Sequence, residues 1–440
     1  MTRSQKQNVL VFPCGSEIGL ELYRSLSMST HVSLFGASSV PDHGRFVYER
    51  HIDGLPFVDE PGFIEAVNCV IDEHRIDFLF PAHDSVVLSF AENTRQLHCK
   101  VLGSPVETCR ICRSKRLTIN KFASLLRVAI LYDDVDSVRN WPLFLKPDIG
   151  QGSRGTHLAR NPNEAAFYLT QDPSLLLLEY LPGSEYTVDC FTDRHGELRF
   201  AGARERIRIQ NGISVNTRPV EDEAFHEMAE IINRALKFRG VWFYQVKKSA
   251  GGELTLLEIG PRVAGTMALY RNLGVNSALL TVFDAIGLDV GILRNEFHLD
   301  LDRALATRFK SDIDYRHLYI DLDDCLILDE KVNPQAVALL YQCLNRGIQL
   351  HLLTRHSSSV DDTLKRHKLA EVFDDIIHLK GDEPKSEYIK HSDCVFIDDS
   401  FAERKEVRSA KGIPVFAPDA IESLLWSDSA KGEGDNGNEE

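Results

Sequence analysis

The 440-residue sequence contains no run of 18 or more apolar residues, which excludes a bilayer-spanning helix of the usual kind. Its opening residues carry no apolar stretch of the length a secretory signal needs, so a cytoplasmic protein without membrane association is expected. Positive charge is in deficit: 50 Lys and Arg against 65 Asp and Glu give a formal charge of −15. Such a surface repels phosphate backbones, and no nucleic-acid partner is expected. No internal repeat of fixed period is present, which argues against a solenoid, and no signature specifies an oligomeric state. Cysteines number nine, an odd count at scattered positions, and Cys69, Cys190 and Cys343 lie in apolar surroundings. Free, buried thiols in a reducing compartment are expected rather than a disulfide framework. Cys109 and Cys112 form a C-x-x-C pair, but no second pair follows to complete a zinc site, so these read as two buried thiols near a helix start. What remains is an ordinary soluble composition, 43% hydrophobic and 26% charged. The length suggests roughly three folding units.

The first hundred residues alternate short apolar runs with helical patterns. Asn8–Phe12, His31–Gly36 and Phe78–Pro81 read as buried strands and Ile18–Leu26 as an amphipathic helix. Strands separated by helices imply βαβ units and a parallel sheet. After the first strand, Gly15 and Gly19 form a G-x-x-x-G turn, short of the full G-x-G-x-x-G dinucleotide fingerprint; a tight strand-to-helix turn explains it as well. From Cys112 to about Asn295 longer strands and glycine-rich loops suggest an α+β unit. A charged stretch over Leu301–Tyr315 reads as linker, and strand–helix alternation resumes at Leu318 and lasts to Trp426. The last residues, 427–440, lack apolar anchors and read as a disordered acidic tail.

The central segment carries a candidate nucleotide grip. Leu143–Pro147 is a strand ending in Lys146, followed by a loop containing Gly150, Gly152, Ser153 and Gly155. Closely spaced glycines let backbone N–H groups approach phosphate oxygens, and the lysine adds a compact charge. This is not a Walker A loop, since no G-K-[ST] closes it, and a ligand-free glycine hairpin is the competing explanation. Leu175–Leu181 reads as a buried edge strand running into a turn at Pro182–Tyr186. Its backbone suits an adenine and its carboxylate a ribose. Trp242–Lys247 and Leu256–Ile259 read as paired strands joined at Gly251–Gly252. Gln245 and Glu258 would then share a face as hard oxygen ligands for Mg²⁺, with Arg262 placed for a transferring phosphoryl group.

On these residues, about 112–295 resembles an ATP-grasp domain of the carbamoyl-phosphate-synthase-like branch. Residues 1–110 are similar to the Rossmann-like pre-ATP-grasp domain that precedes it. Ser114-Lys115, Lys146-Pro147 with the glycine loop, Glu179-Tyr180-Leu181, Gly183–Tyr186 and Glu258–Arg262 carry the resemblance. It implies ATP-driven carboxylate activation through an acyl-phosphate that an amine or related nucleophile displaces. It also implies that Lys115 and Lys146 contact ATP phosphates, Glu179–Leu181 form the adenine hinge, Glu185 holds ribose, and Gln245 and Glu258 bind magnesium. Arg204 and Arg206 fall on the family's substrate-side strand, where arginine holds an anionic acceptor. The family pattern E-x-N-P-R departs here: Gly260 stands where an Asn ligand is usual, removing one oxygen from the metal site.

The C-terminal segment places acids at strand ends. His317–Leu326 is an apolar run delivering Asp321 and Asp323; His351–Thr354 ends in a hydroxyl; Lys385 follows Pro384; and Val395–Ser400 ends in Asp398 and Asp399. Open α/β sheets put their sites at such C-terminal strand ends, and paired carboxylates suit Mg²⁺ binding with nucleophilic attack on phosphorus. Over about 315–426 this order resembles the haloacid dehalogenase (HAD) superfamily. The resemblance implies that Asp321 is the nucleophile, Asp323 the general acid/base and magnesium ligand, Thr354 and Lys385 the phosphate holders, and Asp398 with Asp399 metal ligands. Cys325 stands where Thr or Val is usual, and Lys380 is a rival for Lys385. The stretch from Leu326 to Leu353 has room for one helix, Gln335–Asn345, and none is left before Lys385 for a large cap, so an open site is expected.

The expected architecture is therefore an α/β multidomain chain. A Rossmann-like pre-ATP-grasp domain spans 1–110, an α+β ATP-grasp domain 111–300, a linker 301–314 and a HAD-like Rossmannoid domain without a large cap 315–426, before the tail. The expected function is an ATP- and Mg²⁺-dependent carboxylate–amine ligase fused to a Mg²⁺-dependent phosphatase acting on a small metabolite or sugar acid. The alternative is a phosphatase whose degenerate ATP-grasp portion only binds nucleotide.

Overall fold

In the computed structural model, which describes residues 6–150, 152, 154–305, 309 and 311–426, the first apolar run forms strand β1 (Gln7–Phe12). It is the centre of a parallel sheet with β2 (Val32–Ala37), β3 (His51–Ile52), β4 (Phe78–Pro81) and β5 (Lys100–Val101), in the order β3-β2-β1-β4-β5. Helix Glu17–Leu26 starts at the G-x-x-x-G turn, capped by Ser16 Oγ, which accepts from Gly19 N at 2.9 Å. A Cβ on Gly19 would lie 2.3 Å from the Cys14 carbonyl oxygen, so close packing in the turn accounts for this glycine. The same helix joins Val241, Val263, Met267, Ala278 and Val282 in one core.

The chain then builds two antiparallel sheets. Strands β6 (Leu131–Tyr132), β7 (Leu143–Pro147), β8 (His157–Ala159) and β9 (Leu175–Glu179) lie in the order β6-β9-β7-β8. The run from Leu175 is thus not an edge strand: β6 pairs with Leu177 and Leu178 on its far side. The second sheet contains β10 (Glu185–Thr192), β11 (Leu198–Gln210), β12 (Ile213–Val220), β13 (Gly240–Lys248), β14 (Leu254–Gly260) and β15 (Leu301–Asp302), ordered β14-β13-β10-β11-β12-β15. The stretch expected as linker therefore begins with a strand that pairs with Asn216 and Thr217. All of this belongs to one compact unit through Leu305.

The second unit, from residue 306, has its own core around Leu318, Ile320, Leu340, Leu352 and Ile397. Strands β16 (His317–Ile320), β19 (Gln349–Thr354), β20 (Asp375–His378), β21 (Cys394–Ile397) and β22 (Val415–Phe416) form a parallel sheet in the order β20-β19-β16-β21-β22. The hairpin of β17 (Ile327–Leu328) and β18 (Lys331–Val332) and helix Pro334–Asn345 fill the interval between β16 and β19. The run from His317 is strand only as far as Ile320; the chain turns beyond it, and Asp324 adopts a positive φ of 53°.

Among the described residues no helix is long and apolar enough to cross a membrane. Seven of the nine cysteines are buried, including Cys109, Cys112, Cys190 and Cys343; Cys69, expected in apolar surroundings, is exposed on helix Phe63–His74, and Cys99 is half-buried. The tail beyond Trp426 lies outside the described residues.

Candidate functional sites

The antiparallel sheets of the first unit carry a cavity of about 270 Å³. Its apolar lining comes from Ala129, Phe144, Leu178, Leu181, Ile209 and Leu257, and its charged lining includes Lys115, Lys146, Lys247, Glu185 and Glu258. Glu179 and Tyr180 also line it, but the Glu179 carboxylate is committed to Arg127, accepting from Nη2 at 2.6 and 2.8 Å. Lys146 arrives at the end of β7, half-buried, and burial pulls its ammonium down to about 8 against the opposing pull of Glu258. Lys115 opens helix Lys115–Phe122 and donates to the carbonyls of Asp148 (3.2 Å) and Gly150 (3.3 Å). Burial lowers its pKa too, with Glu258 again the largest opposing influence. Ser114 caps that helix and donates to the Asp148 carboxylate at 2.8 Å, tying it to the glycine loop. Gly152 lines the cavity; Gly155, with φ +68°, packs against Pro147; Ser153 lies outside the described residues.

A second cavity, about 770 Å³, shares Lys115, Gly150, Gly152, Arg154, Arg206, Gly212, Gln245 and Glu258 with the first. The β13–β14 register sets Gln245 directly opposite Glu258. Arg206 ion-pairs with Glu185 and donates to Gln245 Oε1 at 2.8 Å. Arg204 is fully buried, held by Asp189 (Nε to Oδ2, 2.7 Å), and its Nη1 has no hydrogen-bond partner among the described residues. Arg262 forms a two-bonded pair with Asp84 at 2.6 and 2.9 Å and lies over the Phe243 ring at 5.0 Å. Seven Lys and Arg side chains line this cavity against three carboxylates, in a chain of net charge −15.

Sequence reasoning missed the contribution of the first sheet. Glu17, His83 and Asp84 follow β1 and β4, the strands flanking the point where the strand order reverses, and line the larger cavity together with Arg113 and Arg303. The available signal was their position just beyond parallel-strand C-termini. It also missed Phe243: a Cβ on Gly260 would lie 2.3 Å from the Phe243 ring, which fills the space a larger residue at 260 would need.

In the second unit, Lys385 Nζ bridges Asp321 (2.8 Å) and Asp398 (2.6 Å), with the three residues 3%, 6% and 1% exposed. Lys380 is exposed. Burial lifts the Asp321 carboxyl to about 6 despite Lys385, and Lys385 itself is raised, its two carboxylates outweighing the burial that lowers it. Thr354 is fully buried at the end of β19, next to Asp321. Asp321, Asp398 and Asp399 bring carboxylate oxygens within 4.8 Å of one another. Asp323 is not part of that cluster. It is exposed and paired with His356 Nδ1 at 2.8 Å, and His356, unnoticed in the sequence, is held in turn by Ser358 and Thr363. The turn after Ile320 accounts for the separation: it directs Asp321 inward and Asp323 outward.

Residues 171–301 match the family model described as "ATP-grasp in the biosynthetic pathway with Ter operon". No curated protein matches the chain. Among solved structures, the biotin carboxylase domain of the Hydrogenobacter thermophilus 2-oxoglutarate carboxylase, in complex with MgADP, ADP and bicarbonate, is similar with a TM-score of 0.56. It is 14% identical, and the match covers 66% of this chain and 72% of that one. An N5-carboxyaminoimidazole ribonucleotide synthetase in its ADP complex gives 0.54 at 14% identity, over 66% and 80%. The L-amino acid ligase of Bacillus licheniformis gives 0.52 at 14% identity, over 65% and 75%. The chain contains an ATP-grasp fold.

Proposed function

We propose that the first unit is an ATP-dependent ligase that activates a carboxylate as an acyl-phosphate for attack by an amine or related nucleophile. The second unit, on this proposal, is a HAD-like phosphatase. The observation that carries the ligase reading is the charged wall shared by the two cavities, with apolar lining in the smaller and an excess of cations in the larger. The smaller suits ATP, its base against Leu178, Leu181 and Leu257 beside the Glu179–Leu181 hinge, its ribose toward Glu185, its phosphates toward Lys115, Lys146 and the glycine loop. The larger suits an anionic acceptor, oriented by Arg204 and Arg206. The acceptor carboxylate attacks the γ-phosphorus, ADP leaves, and the amine then displaces phosphate from the acyl carbon. Arg262, held by Asp84, is placed to stabilise charge developing on the transferring group. Glu258, facing four cations, and Gln245 opposite it would hold Mg²⁺, which retains waters where Gly260 supplies no ligand and neutralises the phosphates when bound.

In the second unit the Asp321 carboxylate attacks phosphorus and the ester oxygen leaves, protonated by Asp323, which His356 orients. Water then cleaves the aspartyl-phosphate, releasing phosphate and restoring Asp321. Lys385 and Thr354 hold the phosphoryl oxygens. Three carboxylates outnumber the Lys385 ammonium, so the cluster has the charge to hold Mg²⁺ through Asp321, Asp398 and Asp399. A second reading, nucleotide binding without ligation, is favoured by the Phe243 ring standing against Gly260.

The test is an incubation with ATP, Mg²⁺ and pools of carboxylates and amines, following ADP and phosphate. Carboxylate-dependent ADP release that vanishes in Lys146→Ala supports the ligase. Its absence in wild type leaves the nucleotide-binding reading, and its survival in Lys146→Ala overturns the site. Phosphatase activity on a generic ester that persists in Asp321→Asn refutes the nucleophile.

A further inference from the structure

Away from the Asp321 cluster, three histidines meet in the second unit. His317 opens β16, His351 is the third residue of β19, and His391 precedes β21. One ring nitrogen of each lies within 4.8 Å of the other two. His317 Nδ1 and His351 Nε2 are 3.1 Å apart. His391 stacks on His317, ring centroids 3.4 Å apart, and its Nδ1 meets the Tyr319 hydroxyl at 2.8 Å. His351 is 6% exposed, and its Nδ1 has no hydrogen-bond partner among the described residues.

We propose that His317, His351 and His391 form a binding site for one divalent transition-metal ion of the Zn²⁺ type. Two imidazole nitrogens on a tetrahedral zinc, each at about 2.0–2.1 Å, stand roughly 3.3 Å from one another. The His317–His351 separation is within a few tenths of an ångström of that. Imidazole ligands select Zn²⁺, Cu²⁺ or Ni²⁺ over Mg²⁺ and Ca²⁺.

The outer partners fit as well. His317 Nε2 lies 4.0 Å from Asp393, and Tyr319 engages His391 Nδ1, leaving His391 Nε2 as its ligand atom. Asp374 and Asp375 add negative charge near His351, opposed by Arg316 near His317. The parallel stack of His317 and His391, 4° between planes, has to open for both lone pairs to converge, and His391, half-buried, is the ring that would have to turn. Water takes the fourth position. His317 stands four residues, about 13 Å along an extended strand, from Asp321, so one ion cannot serve both clusters. The bound ion would fasten β16, β19 and the lead-in to β21 together.

The test uses the full chain, stripped with chelator and titrated with Zn²⁺ and, for its visible spectrum, Co²⁺. Wild type is expected to take up one equivalent with a four-coordinate Co²⁺ spectrum, and to melt higher with Zn²⁺. His351→Gln and His391→Gln are expected to bind at least tenfold more weakly, while Asp321→Asn binds as wild type does. Should His351→Gln fail to fold, the half-buried His391→Gln carries the comparison. In wild type, Zn²⁺-induced shifts of histidine ring ¹⁵N resonances report the ligands without any variant. Unmoved ring resonances, or a His391→Gln protein that binds as tightly as wild type, overturn the proposal.

Discussion

Replacing Gly260 by Asn tests the close packing at the end of β14, the strand proposed above to hold the metal. A Cβ at this position would lie 2.3 and 2.5 Å from two carbons of the Phe243 ring, where unstrained carbon contacts are about 3.5–4.0 Å. Phe243 is 3% exposed, sits opposite Gly260 in the β13–β14 register, and carries the Arg262 guanidinium over its face. It cannot simply swing away. Overpacking of this kind costs about 1–3 kcal/mol, and at about 2–4 °C per kcal/mol Gly260→Asn should lower the Tm of the first unit by about 2–12 °C. Phe243→Ala alone should cost about 3–5 kcal/mol through the cavity it leaves. The double variant lets the amide occupy that cavity, so its loss should fall short of the sum of the singles by about 0.5–3 kcal/mol. Melting curves and denaturant titrations of the four proteins give the cycle, and Mg²⁺ titration in the presence of nucleotide shows whether the amide adds a ligand. A Gly260→Asn protein as stable as wild type, or strictly additive losses, would refute the reasoning.

Lys146 titrates near 8 in the folded chain against 10.5 as its ordinary value, so between those pH values the unfolded chain holds more protons. Stability of the nucleotide-free protein should therefore gain a contribution that grows as pH rises from about 8 to 10.5, and Lys146→Met should remove it in chemical denaturation at several pH values. Lys385→Met leaves Asp321 and Asp398 buried without their cation; a loss of about 3–5 kcal/mol is expected in urea unfolding, partly recovered by Mg²⁺. Asp323→Asn should lower kcat on a generic phosphate ester by about 10²–10⁴-fold, and His356→Ala by less, since the carboxyl remains and only its orientation is lost.

Much of this arrangement was legible from strand ends. Lys146, Asp321, Thr354 and Asp398 each sit at or just beyond the end of an apolar run, and burial of that run fixes where the end projects. Gln245 and Glu258 were findable because strand pairing around a Gly-Gly turn sets register. What escaped depends on contacts between distant segments. Nothing local marks Asp84 as the partner of Arg262, 178 positions away, or Arg127 as the partner of Glu179. The exposed placement of Asp323, on the turn beyond Ile320, is encoded by no periodicity. The role of Leu301–Asp302 as an edge strand needed β12 to pair against, and charge alone made it read as linker.

The most direct measurement of the central claim is calorimetric titration of the full chain with MgATP. The smaller cavity, lined by Lys115, Lys146 and Glu258, predicts one nucleotide bound per chain, at least tenfold weaker binding in Lys146→Met, and unchanged binding in Asp321→Asn. Wild type that takes up no nucleotide, or Lys146→Met that binds as tightly as wild type, would contradict it.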